Sequence, residues 1–296
     1  MSPISPAAQS VNPDLEAAKS KWHEFKNTAI HAGRVCYLIR ATSYLVNVIH
    51  DGQTEEKQEA ISLQASVNLE RAKLAWVDFN NIHSRSYQEG RLNKADEYLE
   101  YTFKKGTASE KREAQSLRVS LNLQRAKFAL NDCEKKTSLL GRKVCLRKAN
   151  LCLGYVWKNG TPTEQQRSVL YQTIVNLEQA KMEWDQFKSK TSVADQEICI
   201  RTTANHIGYV LLNGNRAIRQ KAVELKSSIN LARAHMLWAE FQTADDFDHR
   251  KYCLDDATRY LNSTVTYGTA EDREEADALR NRLDVMYGAI LNETDV

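Results

Sequence analysis

Across residues 57–110, apolar side chains fall into two helical stripes. Ala60, Leu63, Val67 and Leu74 form one, and Leu69, Ala72, Trp76 and Phe79 form the other. At 100° per residue the two stripes lie on nearly opposite faces of one helix, and a helix apolar on two faces is buried on both. A shorter stripe follows in Leu92, Ala95, Tyr98, Leu99 and Thr102, so the segment reads as a long helix paired with a shorter one. The long helix is predicted to span about 24 residues, or about 36 Å. Loops within each pair are predicted at 81–88, 135–142, 189–195 and 243–249.

The same pattern recurs every 54 residues without insertion or deletion. Leu15-Glu-Ala-Ala-Lys19-x-x-Trp22-x-x-Phe25 returns as Leu69…Phe79, Leu123…Cys133, Leu177…Phe187 and Leu231…Phe241. A fixed period of this order marks a stacked array. The expected fold is all-α: a right-handed or near-straight α-solenoid of five antiparallel hairpins and a C-terminal capping helix. The predicted boundaries are a disordered tail at 1–11, hairpins at 12–56, 57–110, 111–164, 165–218 and 219–272, and a more polar capping helix at 273–292. Asn12-Pro13-Asp14 reads as a fresh helix start.

Punctuation is equally regular. Gly52, Gly106, Gly160, Gly214 and Gly268 stand where a left-handed glycine would end the second helix. Thr107-Ala-Ser-Glu110, Thr161-Pro-Thr-Glu164 and Thr269-Ala-Glu-Asp272 follow as capping boxes for the next helix, which makes these turns very tight.

Tandem helix pairs resemble the broad α-solenoid class. The period differs from the 34 residues of tetratricopeptide units and the roughly 40–47 of armadillo and HEAT units. Two units approach a spectrin-like length, but Gly-Thr breaks the chain where a spectrin-like helix would continue. The recurring Trp and Tyr also resemble repeated helical modules of secreted effectors.

Composition adds limits. The chain of 296 residues is 42% apolar and 27% charged, with four prolines, and no apolar run is long enough to span a membrane. Its start lacks the basic-then-apolar pattern of a signal peptide. Cys145, Cys199 and Cys253 share one phase, Cys133 replaces a phenylalanine and Cys152 a tyrosine, so the cysteines read as packing residues. They are expected to be reduced thiols of a cytoplasmic protein.

Phase also sorts the candidate chemistry. A polar position recurs as Asp14, Asn68, Asn122, Asn176, Asn230 and Asp284. It reads either as a row that binds the backbone of an extended peptide or as an internal ladder bonding a loop or helix end of the next repeat. Lys19, Lys73, Lys127, Lys181 and His235 form either a cationic track or local pairs with Glu16, Glu70 and Glu178. The tryptophans at 22, 76, 184 and 238 read as core.

Charge departs from the period in the third copy, where twelve basic residues meet four acidic ones, a net +8. Lys135, Lys136, Arg142, Lys143, Arg147 and Lys148 gather at one loop and the helix after it, a candidate patch for an acidic partner, nucleic acid or an anionic lipid surface. No H-E-x-x-H, phosphate-binding glycine loop or G-x-S-x-G is present. Asp245-Asp246-Phe-Asp248-His249 matches no metal-ligand spacing and reads as a helix start. The expected function is a non-catalytic scaffold for a protein partner, with no cofactor or metal. Its rivals are a nucleic-acid or anionic-surface binder acting through the third copy, a self-assembling structural protein, and an effector-like protein.

Overall fold

A computed structural model of the chain describes residues 12–293, with side-chain surroundings given through residue 289. The tail expected at 1–11 lies outside the described residues. Among those described, the secondary structure is eleven α-helices and no strand. They are α1 (Pro13–Asn27), α2 (His31–Asp51), α3 (Thr54–Asn81), α4 (Arg85–Lys105), α5 (Ala108–Lys135), α6 (Leu139–Asn159), α7 (Pro162–Phe187), α8 (Val193–Asn213), α9 (Arg216–Thr243), α10 (Phe247–Tyr267) and α11 (Ala270–Glu293). The starts of α3, α5, α7, α9 and α11 are spaced by 54 residues, and so are those of α2, α4, α6, α8 and α10. No described helix is long and apolar enough to cross a membrane.

The longer helices exceed the predicted length: α3, α5 and α9 each run 28 residues. The difference comes from the loops, which shrink to residues 82–84, 136–138, 188–192 and 244–246. Residues with helix-start chemistry, Ser84, Ser138, Ser192 and Asp246, stand immediately before α4, α6, α8 and α10, although the side chains of Ser84 and Ser192 make no cap bond. Ser138 Oγ accepts from the Gly141 N–H at 3.2 Å, and Asp246 Oδ2 from the His249 N–H at 2.8 Å.

The glycines are not left-handed. Gly52 (φ −66°, ψ 169°), Gly106 (−73°, 163°), Gly214 (−74°, 157°) and Gly268 (−71°, 168°) are extended. Only two residues separate one helix from the next here, and an extended glycine redirects the chain at once. Each of these glycine N–H groups still donates to the carbonyl four residues back, at 2.7–2.8 Å. The close approach selects glycine: a Cβ would lie 2.7 Å from the Val48 or Thr102 carbonyl oxygen and 2.6 Å from that of Val210 or Thr264. Gly106→Ala is therefore expected to cost at least about 1 kcal/mol in a urea titration; an unchanged midpoint would mean that the turn relaxes freely.

The capping chemistry after the glycines matches its sequence signature. Thr107 Oγ1 accepts from the Glu110 N–H at 3.3 Å, while Glu110 accepts from the Thr107 N–H at 2.8 Å. Asp272 N–H likewise donates to Thr269 Oγ1 at 3.1 Å. The acid has a second role, taking a hydrogen bond from a side chain 44 residues earlier. Asn12 donates to Glu56, Ser66 to Glu110 and Ser228 to Asp272.

The helices fall into two compact units, with the boundary inside α5. One holds the described chain to Arg125 plus Lys158–Thr161, and the other holds Ala126–Trp157 and the chain from Pro162 onward. In the first, Ala60, Val67 and Leu74 of α3 join Leu15, Ala18 and Phe25 of α1 and Leu38, Ala41 and Leu45 of α2 in one cluster. That uses the first apolar stripe, while α3 also packs against α4. The second unit repeats the scheme: Val175 and Met182 of α7 close the cluster of Ala126, Cys133, Leu146 and Leu153. In the last cluster Leu231, Ala234 and Phe241 of α9 meet Leu254, Ala257 and Leu261 of α10 and Leu279 and Leu283 of α11.

Candidate functional site

Two members of the polar row turn inward, while Asp284 is exposed. Asn68 and Asn230 are buried, which leaves no exposed amide at these positions for a peptide backbone. Nor do the side-chain bonds reach into a following hairpin. Asn230 donates to Ser263 Oγ at 3.1 Å, from α9 to its own partner α10. Asn122 and Asn176 donate to the Arg118 and Gln172 carbonyls one turn back, each at 2.9 Å. Asn176 Oδ1 also lies 2.8 Å from His206 Nδ1, from α7 to α8. A polar side chain at the seam between two helices is satisfied most cheaply within its own pair.

The lysine row spans helices. Lys19 pairs with Glu16 at 3.0 Å and with Glu59 at 2.8 Å; Glu59 and then Glu16 hold its ammonium above the ordinary pKa. Lys73 pairs with Glu70 and Glu113, both at 2.6 Å, and His235 with Glu275 at 2.8 Å. The partner 40 residues ahead was not anticipated from the sequence. Lys181 pairs with the local acid, Glu178, at 2.7 Å, and has Lys221 at the position 40 residues ahead. Lys127 has glutamine and arginine at the equivalent positions, Gln124 and Arg167; it is exposed and makes no ion pair among the described residues. Such exposed pairs contribute about 0–1 kcal/mol each, so the row aligns helices more than it stabilises them.

The basic patch divides. Arg142 points inward, with its guanidinium 3.0 Å from Glu178 and 3.7 Å from Asp185. It is engaged within the fold and drops out of the patch. Lys135, Lys136, Lys143, Arg147 and Lys148 are exposed and make no ion pair among the described residues. Beside them stand apolar residues that face solvent: Leu140 is 74% exposed, Val144 60% and Leu151 70%. At a spacing of 0, 4, 7, 8 and 11, Leu140, Val144, Arg147, Lys148 and Leu151 share one face of α6. Equivalent positions on α4 are Ser86, Gly90, Asn93, Lys94 and Glu97, without a leucine or valine.

This face borders a groove of about 540 Å³ between α6 and α8, floored by Gln179, Met182 and Glu183 of α7 and walled by Lys143, Arg147 and His206. A second groove of about 1040 Å³ lies between α8 and α10 over α9. Its lining includes residues 54 positions onward: Arg201 for Arg147, Met236 for Met182, Tyr260 for His206 and Glu197 for Lys143. The side-chain changes give the two grooves different charge on a shared plan.

Burial pushes the His206 imidazole below its ordinary pKa of 6.5, with Glu183 opposing weakly. A depressed folded pKa means that the unfolded chain binds the proton more readily. The contribution is therefore present above about pH 6.5 and is lost below it, as the pH falls through the lower folded pKa. His206→Tyr, which installs the residue of Tyr44, Tyr98 and Tyr260, is expected to flatten the fall in melting temperature between about pH 7 and 5. Parallel melting curves of the two proteins would refute it.

The tryptophans sit at the margin of the core. Trp22–Phe25, Trp76–Phe79, Trp184–Phe187 and Trp238–Phe241 stack with centroids 4.8–5.3 Å apart. Each of these four tryptophans is half-buried and therefore unsuited to an open aromatic cage. Cys133, Cys152, Cys199 and Cys253 are buried and Cys36 is exposed, with no disulfide among the described residues. In comparison with known proteins, no family model, curated protein or solved structure matches this chain.

Proposed function

We propose that the chain is a non-catalytic α-solenoid scaffold that holds a protein partner against the α6 face and the groove beside it. The carrying observation is that Leu140, Val144 and Leu151 are exposed on the same helical face as the unpaired Arg147 and Lys148. Three large apolar side chains exposed on one helical face, with two cations between them, favour an interaction surface. Its cationic rim specifies the complement: an amphipathic segment with an apolar stripe flanked by carboxylates. The groove on the α8 side offers a trough for such a segment, and the recurrence of the groove over α9 suits an extended partner.

Five unpaired cations also support a second reading, an anionic polymer or lipid surface. Salt separates the two. If five cations engage phosphates, affinity falls about 10²–10³-fold between about 50 and 200 mM salt. A partner held by leucines with a charged rim loses far less. Fluorescence anisotropy with an acidic amphipathic peptide, single-stranded nucleic acid and anionic vesicles as probes is expected to give salt-tolerant binding to the peptide alone. Steeply salt-dependent binding to either other probe, with none to the peptide, would replace the scaffold reading by the second one.

A further inference from the structure

Copy five holds a cluster that the docking surface does not use. Glu240 near the end of α9 and His249 and Cys253 on α10 bring a carboxylate oxygen, an imidazole nitrogen and a thiol sulfur within 4.8 Å of one another. His249 Nε2 lies 3.0 Å from Glu240 Oε1 and 3.9 Å from Cys253 Sγ. Of the neighbouring acids Asp245, Asp246 and Asp248, which read as a helix start, Asp246 caps α10 by accepting from the His249 N–H. Folding thus assembles a mixed N, O, S set across the turn between α9 and α10.

We propose that Glu240, His249 and Cys253 form a binding site for a divalent transition metal of zinc type. Zinc takes such ligands at about 2.0–2.3 Å in tetrahedral geometry, which implies ligand–ligand edges of about 3.3–3.6 Å. Both distances at the imidazole lie within about half an ångström of that range, a rotamer adjustment away. Thiolate and imidazole together select zinc over magnesium or calcium, which favour all-oxygen shells. Glu240 is exposed and Cys253 is buried, so the ion would enter from the carboxylate side and keep a solvent molecule as its fourth ligand.

Binding converts the thiol to thiolate and releases one proton to solvent. The hydrogen that Nε2 donates to Glu240 in the metal-free site passes to Nδ1, so the imidazole binds as a neutral ligand beside the Glu240 carboxylate. The combination is confined to this copy. Equivalent triplets are Glu24, Gly33 and Tyr37; Asp78, Tyr87 and Arg91; Asp132, Gly141 and Cys145; and Gln186, Asp195 and Cys199. Packing alone accounts for a cysteine at this phase, but it does not call for the histidine. Such an ion would clamp the end of α9 to the first turns of α10.

The test uses the full chain titrated with cobalt(II) as a spectroscopic stand-in, then with zinc. Expected are a thiolate-to-cobalt charge-transfer band saturating at one equivalent, its displacement by zinc, and a zinc-dependent rise in melting temperature. His249→Asn and Glu240→Gln, both at the accessible edge, should weaken zinc at least about tenfold while leaving the metal-free melting temperature unchanged. Cys253→Ser should abolish the band. Absence of a thiolate band at one equivalent, or a band that survives His249→Asn unchanged, overturns the proposal.

Discussion

Replacing Leu261 with alanine is expected to cost about 3–4 kcal/mol of unfolding free energy, the middle of the range for buried leucine truncations. Leu261 is fully buried where three helices meet, and it shares its cluster with Leu231 and Phe241 of α9, Leu254 of α10 and Leu279 and Leu283 of α11. Equivalent residues Leu45, Leu99, Leu153 and Ile207 are all at most 2% exposed, so each hairpin places a large aliphatic at this point. Small neighbours surround it: Ala234, Ala257 and Ala276 have no exposed surface. They fix the backbones close together, and the space left by truncation cannot collapse. Urea denaturation followed by helical circular dichroism measures the loss. Leu261→Met, which keeps the volume, is the control and should cost less than about 1.5 kcal/mol. A loss below about 1 kcal/mol for the alanine variant would show that the cluster repacks.

The predictable parts of this fold rest on contacts that recur in phase. Two apolar stripes on α3 imply two packing surfaces, and Ala60, Val67 and Leu74 do pack on α1 and α2. The Thr107–Glu110 box and the Asn12-Pro13 start carry their own local chemistry, with Asn12 Oδ1 accepting from the Asp14 and Leu15 N–H groups. What escaped the sequence depends on alignment between elements. Gly52 and Gly106 indicate a helix end, but glycine permits both the left-handed and the extended route. Only the two-residue separation of the helices decides between them. Ser84 and Ser138 lack an acid three residues on, so they carried too weak a signal to shorten the loops. Glu59 and Glu113 stand 40 residues from their lysines, a spacing with no meaning until the helices lie side by side. The α6 surface was hidden for a related reason. In a chain whose helices bury two faces, Leu140, Val144 and Leu151 look like further packing residues, and only their exposure distinguishes them.

That exposure leads to the second large effect. Reversing Lys143, Arg147 and Lys148 to glutamate should weaken an acidic amphipathic partner at least about a hundredfold, because each reversal removes an attraction and adds a like-charge contact costing up to several kcal/mol. Replacing Leu140, Val144 and Leu151 with serine should weaken it comparably, since burial of each aliphatic is worth about 1.5–3 kcal/mol before ordering costs. Neither set perturbs the fold in this reasoning: the three cations make no ion pair among the described residues, and the three apolar side chains already face water. Unchanged melting temperatures of both variants are therefore part of the prediction. Together the two sets discriminate among occupants. A protein segment that uses both components loses affinity in both variants, with on-rate and salt dependence altered chiefly by charge reversal. A nucleic acid bound through phosphates responds to the charge reversals and hardly to the serines. An amphipathic membrane interaction responds to both but follows the anionic lipid content of the vesicles. If the serine variant binds the peptide as tightly as the parent chain, the exposed stripe of α6 is not the docking surface, and the scaffold reading loses the observation that carries it.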